Sequence, residues 1–216
     1  MEQVSTDADT PILDVTGVIL AGGRGSRMER DKATLDFGGR PLLSRVAGRL
    51  RLVFERTVVI GPTTLAPLAS DAEVVPDTHP HRGPLGGLAT ALERIGTPWI
   101  CLVGCDMPFI QPALLRVMSS LALATSSAQA VALRGQRGLE PLHALYRHEI
   151  SPIVAETLAG PNPSMRALLD RLSVAEVAPD DVARLDPTRL STFNINRRED
   201  LEKALALAAG EGDDEN

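Results

Sequence analysis

Two apolar runs of this 216-residue chain end in residues whose types and spacing point to phosphate chemistry. After Val15–Leu20 comes Ala21-Gly22-Gly23-Arg24-Gly25-Ser26-Arg27-Met28, with Lys32 close behind. Glycines let a backbone approach a ligand and aim several N–H groups at one anion. Arg27 and Lys32 add cations beside those donors, a combination suited to a polyphosphate. The string is not the G-x-x-x-x-G-K-[ST] of a P-loop. It falls short of the dinucleotide fingerprint G-x-G-x-x-G as well: Gly23 and Gly25 fit, but Met28 holds the third place, which makes a dehydrogenase a distant reading. The bland alternative is a surface turn. The second run, Trp99–Val103, ends in Gly104-Cys105-Asp106-Met107-Pro108. A carboxylate at a strand end suits Mg2+, a hard cation bound by one or two carboxylates plus substrate phosphates. The alternative for Asp106 is a cap on the helix after it.

The elements that must position these groups alternate β and α. Strands are expected at Val15–Leu20, Thr57–Ile60, Glu73–Val75 and Trp99–Val103, and at Ala130–Leu133 and Leu142–Tyr146 as an antiparallel hairpin. Further strands are expected near 174–178 and at Thr192–Ile195. Helical spacing marks a stretch opening at Pro41, a second over Leu85–Ile95, a third through Leu114–Met118, then about 148–159, 164–171 and 197–209. This order predicts one α/β domain over 15–210, a doubly wound, mostly parallel, Rossmann-like sheet with a small antiparallel hairpin. Residues 1–14 and 211–216 are expected to be flexible acidic tails. Ligands of such sheets bind at the carboxyl ends of the strands, where both runs end.

Composition narrows the partners. The net charge is -6, yet Glu2, Asp7, Asp9 and Asp14 and then Glu211, Asp213, Asp214 and Glu215 sit at the ends, and the body between them is slightly basic. That body lacks the basic stripe of a nucleic-acid binder, and 3% aromatic residues leave little for base stacking. No apolar run approaches the ~18–20 residues needed to span a bilayer. The first fourteen residues have neither a basic n-region nor an apolar h-region, so no secretory signal is expected. Cys101 and Cys105 fit core packing in a reducing cytoplasm better than half of a zinc site. His79 and His81 read as polar loop residues or ligands, while His143 and His148 are uninformative. All but two of the 22 basic residues are arginine, which makes Lys32 and Lys203 conspicuous.

The string L-A-G-G-x-G-S-R-M, with Asp31-Lys32 and Leu35 after it, resembles the opening signature of the molybdenum cofactor guanylyltransferases, usually L-A-G-G-x-S-x-R-M-G-x-D-K-x-x-L. Gly25 stands where that pattern has serine, and Glu29 where it has glycine. The resemblance continues through Asp77 with Gly83-Pro84-Leu85-Gly86-Gly87, Gly104-Cys105-Asp106-Met107-Pro108-Phe109, Pro141-Leu142-His143-Ala144-Leu145-Tyr146, and Phe193-Asn194-Ile195-Asn196 with Glu199, Asp200 and Leu201.

The resemblance implies transfer of GMP from GTP to the terminal phosphate of molybdenum-molybdopterin, with release of pyrophosphate. It implies Arg27, Lys32 and Asp106 as catalytic residues, and Leu20, Ala21, Gly22, Gly23, Lys32, Gly61, Asp77 and Asp106 as nucleotide-binding ones. Asn194 and Asn196 alternate on the expected last strand and so point to one face. Mg2+ is expected at Asp106, with Asn196 either completing its shell or capping the last helix. Asp77 alone reads equally as a turn-closing carboxylate. The arginines at 134 and 137 form either a receiver for the pterin phosphate or a solvated loop. Transient contact with proteins that deliver the cofactor or mature molybdoenzymes is implied too. The rival readings are a cytidylyltransferase on the same acceptor, a transferase with another phosphorylated acceptor, and a non-catalytic nucleotide- or cofactor-binding chaperone.

Overall fold

In the computed structural model the first apolar run forms a strand longer than expected: β1 spans Ile12–Leu20. The structure describes residues 10–22, 32–70, 72–135 and 138–210. Ile12 pairs with Phe54, and its N–H donates to Val53 O at 2.8 Å, so residues 12–14 belong to the sheet rather than to a tail. The chain then forms α1 (Leu42–Arg51), β2 (Phe54–Ile60), β3 (Glu73–Val75), α2 (Gly83–Arg94), β4 (Trp99–Gly104), α3 (Pro112–Ala124), β5 (Ala130–Gly135), β6 (Gly138–Arg147), α4 (Ser151–Ala159), α5 (Met165–Leu169), β7 (Val174–Glu176), α6 (Pro179–Leu185) and α7 (Arg198–Gly210).

Among the described residues, seven strands form one sheet in the order β3-β2-β1-β4-β6-β5-β7. Only β6 runs against the rest: it is antiparallel to both β4 and β5, while the other pairs are parallel. The hairpin is therefore built into the sheet, with β7 outside it. Strand β4 sits at the centre, and all six of its residues are buried. A continuous apolar run is what a strand covered on both faces requires.

Helices cover both faces. On one, α1 and α3 bring Leu43, Val46, Leu50, Leu114 and Met118 against β1 and β4. On the other, α2, α4 and α5 bring Leu85, Leu88, Leu92, Val154 and Leu168 against the same sheet. Each such side chain contributes roughly 1.5–3 kcal/mol on burial, and the summed burial holds the sheet edge rigid enough to carry a site. A smaller third core joins Phe37, Leu42, Phe109, Ile195 and Ala204. Phe109 packs edge-on against Phe37 and Phe193, with centroids 6.0 Å apart in each pair. This core attaches the C-terminal segment to the loop after β4.

Two expectations change. Thr192–Ile195 is not a sheet strand. Leu190–Thr192 is a 3-10 turn, Phe193 beyond it is extended, and the segment is bonded to the β4 exit through Ile195 N–H to Asp106 O at 2.9 Å. Beyond Gly104 the β4 chain has left the sheet, so no ladder remains to join. Phe193 and Ile195 pack into the third core instead, and alternation still sends Asn194 and Asn196 together to one cavity. The second change is α6, whose seven residues with the single buried Val182 carry too short a period to read from sequence.

Candidate active site at the carboxyl edge of the sheet

The site is assembled by register. Leu20 lies opposite Ile60 on one side and Gly104 on the other, and Ile60 lies opposite Val75. Four parallel strands thus end in one row. Each exit is tied by a further backbone bond: Ala21 N–H to Ile60 O (2.9 Å), Gly61 N–H to Val75 O (3.0 Å) and Cys105 N–H to Leu20 O (3.1 Å). The Ala21 N–H is committed to Ile60, so Ala21 supplies wall rather than an anion donor. Gly61 is needed because its neighbour crowds it: a Cβ there would meet Ala21 O at 2.9 Å.

Asp106 lies directly beyond this row. Its carboxylate folds back over the strand end, where a Cβ on Gly104 would lie 2.5 Å from Asp106 Oδ1. Lys32 Nζ donates to Asp106 Oδ2 at 3.0 Å and to Asn196 Oδ1 at 3.0 Å. The lysine is buried, at 9% exposure, so its charge is balanced by these two oxygens rather than by bulk water. Asn196 does not cap α7. Asp200 does so, accepting from the N–H groups of Asn196 and Arg197 at 2.9 and 2.8 Å, and these two bonds lower the pKa of its carboxyl.

A cavity of about 460 Å³ opens over Leu20, Gly22, Lys32, Asp106 and Asn196. A second, of about 690 Å³, shares Ala21, Gly22 and His81 with it and continues over Gly61, Pro76 and Asp77. Asp77 closes a turn, its Oδ1 accepting from His79 N–H (2.9 Å) and Thr90 Oγ1 (2.7 Å), and it also lines the second cavity. The structure thus shows the turn-closing carboxylate, set on the wall of a cavity. The expected residues Leu20, Ala21, Gly22, Lys32, Gly61, Asp77, Asp106 and Asn196 are therefore gathered on two adjoining cavities. Arg27 and Gly23, with Gly25 and Glu29, lie outside the described residues.

A family model, the MobA-like NTP transferase domain, matches residues 17–177. The chain belongs to this family. Among its relatives, a probable molybdenum cofactor guanylyltransferase of Pelotomaculum thermopropionicum is 34% identical over 197 residues, covering 91% of this chain and 95% of its own. A molybdenum cofactor guanylyltransferase of Desulfosudis oleivorans is 29% identical, covering 91% and 97%. The fold of the molybdopterin-guanine dinucleotide biosynthesis protein A of Archaeoglobus fulgidus superposes with a TM-score of 0.75 at 23% identity, over 90% of this chain and 99% of that one. The fold of a CMP:2-keto-3-deoxy-manno-octonic acid synthetase superposes at 0.71 and 15% identity, over 91% and 99%.

Other residues of this MobA-like domain fall into supporting places. His79 Nε2 bonds Glu93 Oε1 at 2.6 Å, a contact that lowers the glutamate pKa, and His81 adopts a left-handed φ of 69° between the two cavities. Cys101 and Cys105 are buried and are not joined in a disulfide, and burial raises the Cys101 thiol pKa. Arg134 is paired with Glu176. The second arginine of that loop, Arg137, lies outside the described residues. Among the described residues no group of three or more His, Cys, Asp or Glu side chains is placed to hold a metal ion, and no helix is long and apolar enough to cross a membrane.

Sequence reasoning missed three contributors. Arg45 donates from Nε to Pro108 O at 2.9 Å and lies 5.0 Å from the Phe37 centroid, bracing the Asp106 loop. Its place on α1 gives it no motif. His143 is fully buried on β6, and burial lowers its pKa to about 4, so the ring is neutral. A carbonyl can only accept, so Nδ1 carries the proton given to Ser191 O at 3.2 Å. Asp186, 1% exposed, is the third.

Proposed function

We propose that this chain transfers GMP from GTP to the terminal phosphate of molybdenum-molybdopterin and releases pyrophosphate. The observation that carries this reading is the cluster of Lys32, Asp106 and Asn196, an ammonium held between two oxygen acceptors at the glycine-lined ends of parallel strands. The guanylyltransferase names of relatives aligned over nine-tenths of the chain support the choice of nucleotide and acceptor.

The chemistry asks little of the protein beyond position and charge. A phosphate monoester has a second pKa near 6 and is mostly dianionic at neutral pH, so the nucleophile needs no general base. The protein's task is to bring two mutually repelling anions in line and to balance the charge that gathers on the leaving pyrophosphate. Lys32 is suited to this work: a compact charge on a flexible stem can swing from Asp106 and Asn196 to a phosphate oxygen without moving backbone. Arg27, in the same glycine-rich loop, supplies the second cation.

Asp106 and Asn196 are the donors that would hold Mg2+. Two protein oxygens form a fitting set, since Mg2+ keeps several waters and takes its remaining ligands from substrate phosphates. When bound, Mg2+ supplies charge neutralisation at those phosphates. Gly61 and Asp77, on the adjoining cavity, receive the nucleoside. Two buried cysteines that are not joined in a disulfide support a cytoplasmic setting.

Pyrophosphate release with molybdenum-molybdopterin and GTP, CTP or ATP in turn tests the reading. GTP is expected to give the highest kcat/KM. Preference for CTP would make the chain a cytidylyltransferase, and nucleotide binding without turnover would make it a carrier.

A further inference from the structure

The segment that delivers Asn196 has no sheet ladder to hold it, yet it ends within hydrogen-bond distance of Lys32. Its anchor is Asp186, which caps the end of α6 with its N–H bonded to Val182 O at 2.9 Å. The carboxylate is almost wholly buried. Its Oδ1 accepts from Leu190 N–H at 3.0 Å, and its Oδ2 accepts from Ser191 N–H at 3.0 Å and from the Ser191 hydroxyl. To make these contacts the chain turns through Arg189 in the left-handed region, φ 53°, a conformation that a non-glycine residue adopts only when its surroundings impose it.

A buried carboxylate with three donors is expensive to desolvate and strongly directional once satisfied. Here it fixes the 3-10 turn Leu190–Thr192. From that turn Ser191 O accepts from His143 on β6, Thr192 O accepts from Asn194 Nδ2 at 2.9 Å, and Ile195 N–H donates to Asp106 O. The path from Asp186 to Asn196 is thus pinned at both ends and once in the middle. Asp186 itself touches neither Lys32 nor Asp106 through any of these bonds.

We propose that Asp186 is a positioning residue that acts on the reaction through Asn196, by holding the 190–196 segment so that the Asn196 amide oxygen faces Lys32 and Asp106. The proposal rests on the transferase reading of that cluster for its kinetic consequence, though not for its structural one.

A double-mutant cycle on the full-length chain tests it, with Asp186→Asn, Asn196→Ala and both together, assayed for Mg2+-dependent pyrophosphate release from GTP with molybdenum-molybdopterin. Asparagine keeps the shape but turns an N–H donor toward the Ser191 donors. Each single variant is expected to lose about 10-fold in kcat with little change in KM, and the double to lose no more than Asn196→Ala alone, because a 1 Å displacement already costs that much or more. Wild-type turnover in Asp186→Asn, or losses that multiply in the double, would overturn the proposal. A crystal structure of Asp186→Asn decides it independently: the Asn196–Lys32 bond is expected to be lost, and its retention refutes the idea even if the wild-type chain turns nothing over. Should Asp186→Asn fail to fold, Ser191→Ala removes only the hydroxyl donor. It is expected to show a smaller loss, again non-additive with Asn196→Ala, and additivity there would refute the proposal.

Discussion

Lys32 Nζ lies 3.0 Å from Asp106 Oδ2, an ion pair formed across 74 positions of sequence, with side-chain exposures of 11% and 18%. Asn196 Oδ1 takes the same ammonium at the same distance. Lys32 thus occupies the point from which a cation would be held by Asp106 and Asn196 together. On the proposed reading, Mg2+ and the lysine would share these two oxygens, and a substrate phosphate would relieve the competition by drawing the lysine away.

That competition is measurable without turnover. Lys32→Gln is expected to bind Mn2+, used as a spectroscopic probe in the absence of nucleotide, about 10-fold more tightly than the wild-type chain, the scale of one charge at short range in a partly screened site. Lys203→Gln, which removes a charge lying 5.8 Å from the Phe193 centroid, is expected to leave the affinity within about twofold. Electron paramagnetic resonance titration reads free Mn2+ directly, and equal affinities in all three proteins would contradict shared donors.

In catalysis the same substitution acts the other way. Lys32→Gln is expected to lower kcat/KM for GTP by about 10²–10³, the usual consequence of removing one preorganised charge contact. Steady-state pyrophosphate release checks this, and an unchanged kcat/KM would make the lysine structural.

Gly104→Ala tests the fold-back of Asp106. The added methyl would sit 2.5 Å from Asp106 Oδ1, and Asp106 is the group with room to move. Activity is expected to fall at least 10-fold while the thermal midpoint changes by only a few degrees. A large loss of Tm with activity retained in the folded fraction would show that the strand, not the carboxylate, absorbs the strain.

His143 gives stability a pH dependence. Burial lowers its pKa to about 4, against about 6.5 in an unfolded chain, so between those values the unfolded state binds the extra proton. Its contribution is full above pH 6.5 and is lost as the pH falls from about 6.5 to about 4. Urea melts across that window are expected to show a steeper decline for the wild-type chain than for His143→Gln. Parallel curves would place the loss elsewhere.

The sheet edge was legible because apolar runs of five or six residues ending in glycine announce central parallel strands, and Lys32 and Asp106 stand just past two of them. Asn196 was legible through the alternation of Asn194 and Asn196, which survives although the strand expected at Thr192–Ile195 does not form. Its partner was not. A lysine 164 positions away becomes its neighbour only through the third core and the bond of Ile195 to Asp106. Asp186, Ser191 and His143 left no trace either, since a buried polar network is defined by three-dimensional satisfaction of donors and has no period. Arg45 carries no motif in the sequence; the Pro108 carbonyl and the Phe37 ring give it its place.

On the proposed reading, Asp106, Lys32 and Asn196 form the centre of a metal-assisted GMP transfer. Pyrophosphate release from GTP, with Mg2+ and molybdenum-molybdopterin present, tests it most directly when wild-type chain and Asp106→Ala are compared at equal folded concentration. Robust release by the wild type and a loss of about 10³-fold or more in the variant are expected, because the substitution removes the partner of Lys32 and the proposed holder of Mg2+ together. Release by Asp106→Ala at the wild-type rate, with the same Mg2+ dependence, would remove Asp106 from the reaction centre.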